Sequence, residues 1–92
     1  LATGKILNRQ PLAHDPDVLA IDREANRLYV ASESGSVSIF DIRVAEHPAA
    51  VGTVFIGRGA HAVAVDPETH RLYFALADLG GKSVLRVLAT NF

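Results

Sequence analysis

Asp17 to Ser32 reads DVLAIDREANRLYVAS, and 44 positions later His61 to Leu76 reads HAVAVDPETHRLYFAL. Ala20, Asp22, Glu24, Arg27, Leu28, Tyr29 and Ala31 recur as Ala64, Asp66, Glu68, Arg71, Leu72, Tyr73 and Ala75. Seven identities in 16 ungapped positions, with most of the rest apolar for apolar, mark an internal repeat. Downstream, Ser36-Val37 matches Ser83-Val84 after a short insertion around Leu79-Gly80-Gly81. Upstream, Lys5-Ile6-Leu7 corresponds loosely to Thr53-Val54-Phe55. Two units, approximately 1–48 and 49–92, account for the 92-residue chain.

Each unit reads as strands. Short apolar runs rich in Val, Ile, Tyr and Phe are bounded by turn residues such as Asp22–Asn26, Ser34-Gly35, Asp66–Thr69 and Gly80-Gly81. Each unit is expected to hold a lead strand D (Lys5–Asn8; Gly52–Ile56) and an Ala-rich strand A (Val18–Asp22; Ala62–Asp66). An Arg-Leu-Tyr strand B (Arg27–Ser32; Arg71–Ala77) and a last strand C (Ser36–Ile42; Ser83–Leu88) follow. The best helical stretch, Val44 to Ala50, is short and broken by Pro48. Short A-to-B and B-to-C connections imply antiparallel neighbours, hence four-stranded meanders.

Val18-Leu19-Ala20-Ile21 and Leu72-Tyr73-Phe74-Ala75 do not alternate apolar with polar. A strand apolar on both sides is covered on both sides. Small sheets covered front and back and repeating every ~40–45 residues are expected to be blades of a β-propeller. The fold class read from the sequence is therefore all-β, two antiparallel meanders in D-A-B-C phase. An ordinary β-sandwich is the alternative, but it would leave a polar face on each strand.

RLYVAS followed by SGSVSIFDI, preceded by VLAID and an acidic turn, resembles the YVTN-type propeller repeat of surface-layer and quinoprotein-like proteins. HAVAVDPETHRLYFA fits the same pattern, with Phe74 where the first unit has Val30. The resemblance implies a propeller fold and favours an extracytoplasmic place, periplasmic or cell-surface. It speaks weakly to function, because scaffolds and lactonase-like enzymes share the repeat. Such propellers usually carry more blades in one chain.

Two blades cannot close a ring and would leave apolar outer faces. The expected partners are other propeller blades, either from a longer parent chain or from identical copies assembling head to tail. The lead strand of one copy would complete the last sheet of the next, removing an exposed edge. Copies of a two-bladed unit give rings with an even blade count. The chain opens Leu1-Ala2-Thr3 with no methionine, so it is expected to be a processed or excised piece.

Composition narrows the function classes. The hydrophobic fraction is 49%, the charged fraction 21% and the net charge −1, which argues against disorder and gives no footprint for nucleic acid. The longest apolar run, Leu72 to Ala77, is far too short to span a membrane as a helix, so no membrane insertion is expected. With no cysteine, disulfides and thiol chemistry are excluded. Gly57-Arg58-Gly59-Ala60-His61-Ala62 and Leu79-Gly80-Gly81-Lys82-Ser83 look like phosphate loops, but strands follow where helices are needed.

The candidate ligand-binding residues are His14, Asp15, Asp17 and His61. His14 and His61 lie in successive D-to-A connections, and His61 occupies the repeat position of Asp17. In this strand order those connections share one end with the B-to-C turns, beside the channel. A ring of His and Asp there suits a polar ligand or a divalent metal, with no cofactor otherwise expected. The competing reading makes them loop residues satisfying turn amides. His47 and His70 are expected to be solvated; Asp22, Asp66, Arg27 and Arg71 to serve the repeat; Tyr29 and Tyr73 to pack between blades. Function is expected to be that of a non-catalytic propeller module, a scaffold or a protein- or ligand-binding surface. The alternative is a fragment of a lactonase-like or quinoprotein-like enzyme.

Overall fold

The computed structural model describes residues 4–79 and 81–90, without the side chains of His61 and of residues 77–79. Among the described residues there is no helix. The chain forms β1 (Pro16–Asp22), β2 (Arg27–Ser32), β3 (Ser36–Asp41), β4 (Ala49–Phe55), β5 (Ala60–Val65), β6 (Leu72–Leu79) and β7 (Lys82–Leu88). All pairings are antiparallel, in a four-stranded sheet β1-β2-β3-β4 and a three-stranded sheet β5-β6-β7.

Turn chemistry sets these connections. Between β1 and β2, Asp22 Oδ1 accepts the Ala25 N–H at 3.1 Å and Asn26 takes a left-handed φ of 56°. Asn tolerates that conformation because its short side chain bonds locally. Between β5 and β6, Asp66 Oδ1 accepts the Glu68 N–H at 3.0 Å and His70 takes the left-handed place, φ 62°. The repeat is thus structural as well as sequential.

The bulges repeat too. Register slips between Pro16 and Val18 against β2, and between Ala60 and Ala62 against β6. Asp17 and His61 are the extra residues of these matching irregularities. On the last strand the pairing departs from the sequence match. Ala31 faces Val37, whereas its repeat mate Ala75 faces Leu85, one place beyond Val84.

Packing follows from the period of two. On the inward side of the first sheet stand Val18, Tyr29, Ala31, Val37, Ile39 and Val54, and the second sheet meets them with Val63, Val65, Leu72, Phe74, Leu76 and Leu88. Tyr29, Ala31, Val37, Leu72, Phe74 and Leu76 are essentially inaccessible. Each large side chain buried there contributes about 1.5–3 kcal/mol. Arg86 of β7 holds the connection between β4 and β5 by donating to the Ile56 carbonyl at 2.9 Å.

Two expectations need correction. Residues 5–8 form no strand. The segment following them, 8–13, lies over the outward side of the first sheet rather than beside an edge, where alone a strand can pair. The stretch from 44 to 50, read as too short and broken for a helix, is indeed none: it is a turn closed by the His47 N–H on the Val44 carbonyl at 2.9 Å, running into β4. Cover on both sides holds for most of β2, but β1 leaves Leu19 62% and Ile21 49% exposed, and in the Leu72–Ala75 run of β6 Ala75 is exposed and Tyr73 only half-buried.

Candidate functional site

Two groups of polar side chains lie at opposite ends of the sheets. At one end the connection into β1, the β2–β3 turn and the connection into β5 are knitted together. Ser34 Oγ donates to the His14 carbonyl at 2.7 Å, the Glu33 N–H to the Asp15 carbonyl at 3.0 Å, and the Gly59 N–H to the Glu33 carbonyl at 3.1 Å. The expected sharing of one end by these connections therefore holds.

His14 Nε2 stands 3.6 Å from Asp15 Oδ2, but both side chains are well exposed, at 88% and 60%. An ion pair so wet contributes little. Asp15 itself has a left-handed φ of 57°. Asp15, Glu33, Ser34 and Arg58 line a shallow depression of 320 Å³. Asp17 is set two residues beyond Asp15, at the bulge, and its repeat mate His61 stands at the equivalent bulge of β5. The His61 side chain lies outside the described residues, so its part in the candidate set rests on the backbone position alone. Among the described residues no three His, Asp or Glu side chains gather as a metal ion requires.

The other end holds a tighter constellation, which the sequence reading missed. His70 is not solvated: its Nδ1 lies 2.5 Å from Asp22 Oδ2, and its side chain is only 29% exposed. The Asp22 side chain is 1% exposed and belongs to the other sheet. Glu24 Oε1 stands 3.5 Å from His70 Nε2. Thr90 Oγ1 donates to the His70 carbonyl, and Thr90 also hydrogen-bonds Tyr29. The hydrogen bond to Asp22, reinforced by the negative charge of that group and of Glu24, raises the His70 pKa above its usual value against the opposing effect of desolvation. Burial, and secondarily the Asp22 charge, pushes the Tyr29 phenol up.

Only one signal pointed to this cluster: the repeat places Asn26 and His70 at the same left-handed turn position, and the second unit alone carries an imidazole there. Of the other repeat pairs, the aspartates serve their turns, whereas Tyr29 packs between the sheets and its mate Tyr73 is half-buried on the outward face. Asp22 and Asp66 accept turn amides, and Arg27 lies 3.4 Å from Asp41 at the neighbouring edge. Asp41 is held at about 2, chiefly by its side-chain hydrogen bonds from Arg43 and then by the Arg43 amide. His47 is exposed, with its Nδ1 3.3 Å from Asn8 Nδ2. Chemically, the first end is a wet polar rim, and the second is a structural clasp between sheets.

Comparison of the chain with family models, with curated proteins and with solved structures finds no match.

Proposed function

We propose that the chain is a non-catalytic β-propeller repeat module that supplies two stacked blades to a ring, as a scaffold or binding surface. The reading is carried by one observation: the two sheets pack with unlike faces together. The Tyr29 side of one sheet meets the Leu72 side of the other, although both sheets come from the same repeat. Such a contact leaves the complementary pair of faces turned outward and propagates rather than closing on itself. Further blades, from a longer parent chain or from identical copies, are its partners. The end bearing His14, Asp15, Asp17 and His61 is the surface on which a polar ligand or divalent ion would sit.

Tandem genes carrying three and four copies in one chain test the reading. One of them is expected to give a single-chain closed particle, with slow amide exchange throughout its internal β7 strands. Tandem chains that scatter as flexible strings, with β7 exchanging as in the single unit, would refute it.

A further inference from the structure

Resting on that reading, we propose that the partner is a second copy of this chain, joined head to tail. In the junction, the outward face of the first sheet stacks on the outward face of the second sheet of another copy, and its residues 5–8 become the fourth strand beside that copy's β7.

The internal contact is the template. Ala62, Ala64, Tyr73, Ala75, Leu85 and Val87 share the outward face of the second sheet through the pairings Ala62–Ala75–Leu85 and Ala64–Tyr73–Val87. They match, position by position, Val18, Ala20, Tyr29, Ala31, Val37 and Ile39, the face that the first sheet already buries. Leu85 and Val87 are 67% and 54% exposed. On the outward side of the first sheet, Leu19, Ile21, Leu28 and Val30 match Val63, Val65, Leu72 and Phe74, the face that the second sheet already buries. Each outward face therefore carries the chemistry of one half of an interface the chain has already made. Only another sheet of the same repeat offers the other half, and a second copy carries it in the required order.

The edges agree with the faces. β4 fills the outer place beside β3, whereas β7 has β6 as its one strand neighbour among the described residues. The segment that corresponds loosely to Thr53–Phe55 of β4 is Lys5-Ile6-Leu7, and its Ile6 and Leu7 are 66% and 61% exposed. Just as β4 leads into β5, this segment leads into β1, so donating it to β7 brings the first sheet onto the face where stacking is required. In the single copy, residues 8–13 lie across Phe40 and cover the face they would have to vacate. Leu12 in that cover is still 44% exposed, and among the described residues Gln10 bonds within the segment, to Asn8 at 2.8 Å, while Asn8 meets His47 at 3.3 Å. It is a cover that a better partner displaces.

Because the two faces differ, single variants complement one another. Leu19→Glu disables one face and Leu85→Glu the other. A carboxylate buried in an apolar junction weakens association by ~100-fold or more. The expected result by sedimentation is that the unaltered chain forms species above one copy as its concentration rises, while each variant alone stays single. An equimolar mixture stops at two copies, and Ile6→Pro placed in the Leu85→Glu chain weakens that pair. Circular dichroism checks that each variant is folded, and Ile21→Glu with Val87→Glu repeats the test at independent positions. An unaltered chain that stays single at all concentrations, or variants that fail to complement in both pairings, overturns the junction. Closure of the tandem ring alongside such a failure would refute the exchange between copies and leave the propeller reading standing.

Discussion

His70 is where a single residue does most. It occupies a left-handed turn position that its repeat mate Asn26 fills without any charge, and it reaches across to the buried Asp22 of the other sheet. Since the folded state raises its pKa above 6.5, the protonated form is favoured on folding. The stability it adds is fully present below the unfolded value and is lost as pH rises through the folded one. His70→Asn keeps the backbone conformation and removes the titration. Thermal melts of both chains are expected to differ most near pH 5.5–6 and to converge as the imidazole loses its proton. A difference that grows with pH contradicts this account. At the other end, a divalent ion held by His14 and His61 would show as calorimetric heat on adding zinc or manganese. That heat is expected to be lost in both His14→Ala and His61→Ala. No heat in the unaltered chain removes the ion from the account and leaves a polar rim.

At the scale of elements, the strands were legible because apolar runs and turn residues agree: β1, β2, β3 and β7 lie within a few residues of where the sequence puts them. What failed depends on neighbours that local sequence does not encode. Lys5–Asn8 has strand composition, yet a strand exists only beside an edge, and residues 8–13 drape over a face instead. The contact of His70 with Asp22 was illegible for the same reason: it joins residues 48 apart through the stacking of two sheets. The β2–β3 turn offers a clean test of turn chemistry. Gly35 has a φ of 112° and its N–H bonds the Ser32 carbonyl at 3.0 Å. An added Cβ would also stand 2.4 Å from Phe55 Cε1, although that ring can swing away. The backbone conformation decides the outcome, so Gly35→Ala is expected to lower stability by more than ~1 kcal/mol in urea titration. A variant as stable as the parent would show that the turn adopts another conformation.

For the whole molecule, interior and exterior apolar residues play different parts. Phe74 is wholly buried between the sheets, and Phe74→Ala is expected to cost about 3–5 kcal/mol. Leu85 is 67% exposed on the outward face, and Leu85→Ala is expected to leave single-copy stability within about 0.5 kcal/mol. Chemical denaturation at low protein concentration separates the two. Equal losses would mean that the outward face is already covered within one chain. Of the candidate site residues, Asp17 and His61 were legible as equivalent backbone positions, since the repeat aligns them and both stand at matching bulges. Their chemistry was not, because exposure and mutual distance are set by how loops from different strands converge.

Unlike faces of a repeated sheet pack together, and nuclear Overhauser contacts from the Tyr29 ring report on that packing. With Tyr73 replaced by Phe, so that a single tyrosine ring reports, contacts are expected to the side chains of Leu72, Phe74 and Val63. Contacts instead to Ala62, Ala75 or Leu85 would mean that like faces meet, and the stack could not continue beyond two sheets.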